Sequence, residues 1–376
     1  MIKKFFTDFF TDWGIILAIL PIFGAGLLSM RSLTGENNFF EKQVVWILLS
    51  LIVFFIASKI DFRFFKHSKI LVKIYLAVCA ILVFLFIAGS TVKGSQSWFQ
   101  LAGLSFQPAD FVKVVLILML AKYFSRRHVA IGEWRHVVIS ALYMFVPLVL
   151  ILLQPDFGSA MVIFFIWFGM VLFSGLGRRH ILILTSIGLA ILLVFWLFVF
   201  KPYQKDRIID FVNPASDIRG SGYNVFQSIV AVGSGQLFGK GIGYGTQARL
   251  QYLPEHETDF IFAAFAEEWG LVGSLLLLGL YAFLFYRIIY IAEIGSSNFE
   301  SLYGIGVAVY FMSHLIVNIG MNIGLMPVTG IPLPFMSYGG SHILAEMFAL
   351  GLLVSTKKYA RVTHRERSYN EFIGDM

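Results

Sequence analysis

Leu253-Pro-Glu-His-Glu-Thr-Asp-Phe-Ile-Phe-Ala-Ala-Phe-Ala-Glu-Glu-Trp-Gly270 closes the longest polar segment of an otherwise apolar chain and opens a long hydrophobic run. Five acidic residues, Glu255, Glu257, Asp259, Glu267 and Glu268, crowd into this stretch. At the edge of a membrane such carboxylates are costly unless they are paired, wetted or used, so each is a functional-site hypothesis by default. The plain alternative is a solvated loop end whose acids favour the positive N-terminus of the next helix. Position alone does not choose between the two readings; the flanking sequence must.

Working outward, 58% of the 376 residues are hydrophobic, 14% are charged, and the mean hydropathy is +0.80. That is the composition of an integral, all-α, polytopic membrane protein. No polar tract is long enough for a separate soluble domain, so residues 1–376 read as one membrane domain. The net charge of +7 sits in short loops and the C-terminal tail, which suits an anionic membrane surface. An exposed basic groove with aromatic platforms, which nucleic-acid binding needs, is missing from the sequence. The single cysteine, Cys79, lies in an apolar run and can form neither an internal disulfide nor a metal cluster. The N-terminal apolar run lacks a small-residue cleavage site and reads as a retained first span.

A span needs about 20 mostly apolar residues. Ten segments qualify: 13–30, 44–60, 70–90, 108–123, 136–153, 157–175, 180–200, 260–286, 301–325 and 340–356. Lys3, Lys4, Lys59, Arg63, Lys66, Lys69, Lys73, Lys122, Arg126, Arg127, Arg135, Arg178, Arg179, Arg287 and the basic tail then fall on one side. The loops opposite carry only Arg31, Lys42 and Lys93. The positive-inside bias makes both termini cytoplasmic and turns the large loop at about 201–258, between helices seven and eight, outward.

That outer segment holds Lys201, Lys205, Arg207, Arg219, Lys240 and Arg249, with a glycine-rich run from Gly233 to Gly245. Glycine-rich backbone near cations can hold phosphate through main-chain N–H groups; a flexible re-entrant loop would look similar. Walker lysine spacing is absent, which excludes a nucleoside triphosphate site, and nothing points to an organic cofactor. Residues 223–232 are amphipathic and predict a helix at the membrane interface.

Charge also approaches the membrane elsewhere. In Ser105-Phe-Gln-Pro-Ala-Asp-Phe-Val-Lys113, Pro108 suits a first helical turn, and Asp110 and Lys113 share a helix face and can neutralise each other. Lys113 reads either as a snorkelling lysine or as a cation meeting an anion. Asp156 in Gln154-Pro-Asp-Phe-Gly158 is a turn former or a site residue. The prolines and glycines of 326–341 break the helix at the outer face, which membrane depth tolerates only where protein or water satisfies the backbone. Ser337, Tyr338 and Ser341 are candidates to line such a wet cavity. His314, His342 and Glu346 are too dispersed to suggest a metal site and read as packed or pore-lining groups.

Gln107-Pro-Ala-Asp-Phe-Val-Lys113, Gln154-Pro-Asp-Phe-Gly158, the block from Tyr203 to Gln247, Leu253-Pro-Glu-His-Glu-Thr-Asp-Phe-Ile-Phe262 with Glu267-Glu-Trp-Gly270, and Pro332-Leu-Pro-Phe-Met-Ser-Tyr-Gly-Gly-Ser341 occur in one order. Together they resemble the SEDS proteins (shape, elongation, division and sporulation) over nearly the whole chain. Gly330-Ile-Pro-Leu-Pro is more similar to the rod-shape branch than to the division branch. The resemblance implies a ten-span peptidoglycan glycosyltransferase of the bacterial inner membrane that polymerises lipid II alongside a class B penicillin-binding protein. It puts the essential acid on Asp259 and the acid–cation pair on Asp110 and Lys113. Two departures stand out: the family usually has Glu at Asp110, and Arg at Ser97, where Lys93 or an outer-loop cation would have to substitute.

The expected chemistry is general-base removal of the acceptor sugar's hydroxyl proton by Asp259, with inversion at the donor's anomeric carbon. Lys113, Arg207, Arg219, Lys240 and Arg249 are the candidates to steady the departing diphosphate. A divalent cation, Mg or Mn, would fit the same diphosphate. Gln107, Asp156, Glu255, Ser337 and Tyr338 complete the expected substrate-binding set. Two other classes compete: a transporter that flips the lipid-linked precursor, and a scaffold that only holds its partner.

Overall fold

The computed structural model describes residues 12–32, 39–92, 95–101, 104–126, 134–176, 178–199, 205, 209, 211 and 221–374. Helices α1 (Trp13–Ser32), α2 (Phe39–Ala57), α3 (Ser68–Ala88), α4 (Pro108–Ser125), α5 (Trp134–Leu153), α6 (Phe157–Phe173) and α7 (Arg178–Val194) come first. The 201–258 segment contributes α8 (Ser221–Ser234) and the short α9 (Thr246–Arg249); α10 (Ile261–Glu293), α11 (Asn298–Asn322) and α12 (Gly340–Gly374) follow. Each expected apolar segment overlaps one of these helices. Among the described residues, α1, α2, α3, α5, α10 and α11 are long and apolar enough to cross a membrane. The protein is a multi-pass membrane protein.

Helix α4 is the hub. Pro108 stands at its first turn after an extended Gln107, where the missing N–H costs nothing and φ is already set. It is buried on every face, with α3, α5, α6, α11 and α12 packed around it. Helices α2 and α3 instead turn Val45, Leu48, Ile52, Leu76 and Phe84 outward, apolar surface that a membrane helix offers to lipid. Between α3 and α4 the chain forms an antiparallel meander of β1 (Ser90–Val92), β2 (Ser95–Leu101) and β3 (Leu104–Phe106), with Phe99 paired to Phe106. β1 and β3 are three residues each, too short to show a readable alternation.

The segment read as one span at 260–286 is broken. Gly270 adopts φ 66° and ψ −164° inside α10, dividing a short first section from a long second one. The break gives the 235–241 chain a place to dock. Lys240 and Gly241 donate their N–H groups to the carbonyls of Glu267 and Glu268, while Leu271 and Val272 donate to Gln236 and Leu237. A Cβ on Gly270 would run into the Gly239 nitrogen, so the two main chains touch.

At the opposite end, Asp12 joins three elements. Its buried carboxylate takes Arg287 of α10 at 2.5 Å and Lys357 of α12 at 2.7 Å, just before α1 begins. Burial opposes its ionisation, but the hydrogen bonds and charges of Lys357 and Arg287 outweigh that and hold the carboxyl below its usual value.

Candidate active site

The Asp110–Lys113 pair forms as the i,i+3 spacing predicts, with Nζ 3.0 Å from Oδ1, but both side chains are buried. Lys113 is 2% exposed, so it is not the open cation expected at the membrane edge. A desolvated ammonium needs its counter-charge at contact distance. The Ser341 hydroxyl lies 3.0 Å from the Gln107 carbonyl and 3.1 Å from Asp110 Oδ2, donating to one of them, and accepts the Gln107 N–H. Gln107 Nε2 donates to Asp156 Oδ2 at 2.8 Å, and Asp156 Oδ1 caps α6 by accepting the Ser159 N–H. Asp156 is thus a turn former and a member of this network. Ser341 is buried here and does not line a wet cavity.

The glycine-rich run does hold an anion, but the anion is internal. Glu267, fully buried, accepts from Lys240 Nζ at 2.7 Å, from the Thr246 N–H at 2.9 Å and from the Gln247 N–H at 3.1 Å. Glu268 accepts the Gly243 N–H at 2.9 Å. Backbone in and just after this run, which could have cradled phosphate or formed a flexible re-entrant loop, is occupied by side chains from α10, and Lys240 is paired with Glu267. Glu267→Ala would strand buried donors, each at about 1–3 kcal/mol. The expected outcome is a lower melting temperature and new protease cleavage within 233–258. Arg249 ends α9 with its side chain exposed. Arg207, Arg219 and Lys93 lie outside the described residues. The amphipathic stretch at 223–232 is helical within α8 and packs on α10 and α11.

Asp259 stands one residue before the cap of α10, half-buried, and its segment is gripped from behind. The Tyr338 N–H donates to the Glu257 carbonyl at 2.8 Å, and the Ser337 hydroxyl donates to that of Thr258 at 2.6 Å. Asn318 and Asn322, one turn apart on α11, both donate to the Asp259 carbonyl at 3.0 Å. Gly330, at φ 72°, faces the carboxylate: a Cβ there would lie 3.5 Å from Asp259 Oδ2. Ser337 is fully buried and is a strut, not a cavity lining. Tyr338 packs edge-on against Phe39 at 4.8 Å. Glu255, in the left-handed region at φ 54°, turns the chain and accepts the Thr258 hydroxyl at 2.9 Å. Burial disfavours protonation of His256, but its contact with Glu257 at 3.1 Å overcomes this and raises its pKa above the ordinary value.

Three residues that look dispersed in sequence converge beneath this layer. The His342 ring stacks on His314 at 5.1 Å, and its Nε2 lies 2.8 Å from Glu346. His314 Nδ1 meets the Pro332 carbonyl, and Glu346 accepts the Phe335 N–H at 3.0 Å. Tyr281 donates to the Pro334 carbonyl at 2.5 Å. Tyr281, His314 and Glu346 satisfy the broken backbone of the proline-rich loop from inside the bundle. Among the described residues no three His, Cys, Asp or Glu form a metal-ligand set.

The sequence profile of the FtsW/RodA/SpoVE family, described as cell cycle protein, matches residues 7–362. The peptidoglycan glycosyltransferase MrdB of Escherichia coli K12 is 33% identical over 365 residues, covering 97% of this chain and 96% of that protein. Stage V sporulation protein E of Bacillus subtilis 168 is 32% identical over 363 residues, covering 93% of this chain and 98% of that protein. The rod shape determining protein RodA of Thermus thermophilus superposes with a TM-score of 0.70 at 30% identity, covering 92% of this chain and 96% of that one. A chain from a peptidoglycan synthase complex, reported for its coordination of polymerization and crosslinking, superposes with a TM-score of 0.79 at 30% identity, covering 93% of this chain and 98% of that one. With the profile and both full-length likenesses in agreement, this chain belongs to the FtsW/RodA/SpoVE family of SEDS proteins.

Proposed function

We infer that this chain is a peptidoglycan glycosyltransferase that polymerises lipid II into glycan strands for cell-wall elongation and cell shape. The observation that carries the reading is Asp259, a half-buried carboxylate on a segment whose consecutive carbonyls at 257, 258 and 259 are all held from behind. A fixed acid at the mouth of a helix bundle meets a substrate whose tail needs lipid and whose sugar needs water. Asp259 takes the proton from the 4-hydroxyl of the acceptor N-acetylglucosamine as that oxygen attacks the donor's anomeric carbon. The bond from that carbon to the diphosphate breaks, and the lipid diphosphate leaves with the electron pair, giving a β-1,4 link by inversion. Such base assistance is worth about 10²–10⁴-fold.

The diphosphate leaves already charged and calls for cations more than for an acid. Arg249, exposed at the end of α9, is the described residue best suited, with Arg207 and Arg219 of the same segment beside it in the proposal. The ten expected spans would cross a bacterial cell membrane with both termini cytoplasmic and 201–258 outside, on the lysine and arginine bias. A class B penicillin-binding protein is the proposed partner, in keeping with the crosslinking named for the similar synthase complex.

The buried polar groups at Asp110, Lys113, His314, His342 and Glu346 would also suit a transporter, yet they are packed against one another, which favours the enzyme. Purified protein in vesicles with labelled lipid II, with and without the transpeptidase, tests the choice. The expected result is glycan polymer. Lipid II crossing the bilayer with no polymer under either condition would overturn the reading.

A further inference from the structure

Asn322 makes an unusual pair of contacts. Its Oδ1 accepts the Ala263 N–H at 3.0 Å while its Nδ2 donates to the Asp259 carbonyl at 3.0 Å. Residues 259 and 263 are four apart, so in a continued α-helix that N–H would bond that carbonyl directly. One side-chain carboxamide stands between them instead, and its two ends have partners that fix its orientation. Helix α10 therefore starts its ladder one residue later, with Ala264 donating to Phe260. Asn322 is fully buried at the end of α11, where the Ser228 hydroxyl of α8 holds its own carbonyl at 2.8 Å. Asn318, also fully buried, splits its amide between the Asp259 carbonyl and the Ile331 carbonyl at 2.8 Å, beside Gly330.

We propose that Asn322 is a positioning residue whose carboxamide, inserted into the would-be first bond of α10, holds Asp259 out of the helix so that its carboxylate faces the substrate, with Asn318 as the second brace. This rests on Asp259 being the general base. Without the inserted amide the 259 carbonyl and the 263 N–H are free to bond each other, drawing Asp259 into the helical turn and swinging its side chain. Binding determinants elsewhere are untouched, so the loss falls on turnover and not on affinity. A misplacement of about 1 Å at a reacting group can cost on the order of 10²-fold in rate.

The test is lipid II polymerisation by the full-length protein with its transpeptidase for Asn322→Leu, Asn322→Gln, Asn318→Leu and Asp259→Asn, alongside melting curves. Leucine matches asparagine in branching and cannot bridge; glutamine keeps both ends of the bridge on a longer stem. The expected result is a fall in kcat of at least about ten-fold for Asn322→Leu, KM near wild type, and partial recovery in Asn322→Gln. If Asn322→Leu does not fold, Asn322→Ser takes its place, because a hydroxyl on one carbon is too short to span the Ala263 N–H and the Asp259 carbonyl; Asn318→Leu, which keeps the bridge and removes only the second donor from the 259 carbonyl, is expected to lose less. A folded Asn322→Leu, or in its place Asn322→Ser, turning over at the wild-type rate while Asp259→Asn is dead would overturn the positioning role. An active Asp259→Asn would instead overturn the base on which it rests.

Discussion

Asp259→Asn is expected to lose polymerisation by about 10²–10⁴-fold, the range general-base assistance supplies, while the protein still folds. The substitution keeps the shape of the side chain and leaves every main-chain anchor in place. Ser337 still reaches the 258 carbonyl, Tyr338 the 257 carbonyl, and Asn318 and Asn322 the 259 carbonyl. What disappears is the capacity to accept a proton. Glycan formed from labelled lipid II and separated on a gel reads the loss, and size-exclusion profiles report folding. Glu255→Gln is the comparison: its carboxylate, expected from sequence to bind substrate, is exposed and engaged with the Thr258 hydroxyl of its own turn, so on this geometry activity should stay within a few-fold. A variant at 259 with wild-type polymer would remove the proposed base; one at 255 as dead as 259 would return Glu255 to the substrate-binding set.

Why was Asp259 visible from sequence when its supports were not? The acid sits where a polar segment meets an apolar run, a signal local to a few residues that marks five carboxylates alike, and the resemblance to the SEDS proteins singles out Asp259 among them. Pro108 at a first turn and the Asp110–Lys113 spacing are equally local, and both formed as read. The supports depend on contacts between distant segments. Glu267 reads as an acid near a helix start until Thr246 and Gln247 are seen giving it their N–H groups. Glu267-Glu-Trp-Gly270 reads as helix throughout, because the break at Gly270 is satisfied by carbonyls at 236 and 237. Tyr310, His314, Asn318 and Asn322 are spaced four apart and all fully buried on α11. That polar stripe was present in the sequence as a period, and it is the one signal that could have pointed to the brace behind Asp259.

Lys113→Ala is expected to cost about 3–5 kcal/mol of stability, the range for breaking a buried ion pair, and to abolish polymer with it. The size follows from what remains: Asp110, 3% exposed, would keep a charge inside α4 with only the Ser341 hydroxyl left beside it. Loss of activity in that variant therefore says nothing about whether lysine touches substrate. The double variant Asp110→Asn/Lys113→Met does, because it removes both charges, keeps a polar group for Ser341 and fills the lysine's volume. Apolar or neutral replacements of a whole buried pair are often neutral in stability. If the pair is a strut that seats α4 against α12, the double variant regains the wild-type melting temperature and polymerises within about ten-fold of wild type, the rate factor of some 1.4 kcal/mol in the barrier. A double variant that melts like wild type and makes no polymer would return Lys113 to the diphosphate, despite its burial, and would require the bundle to open around it during turnover.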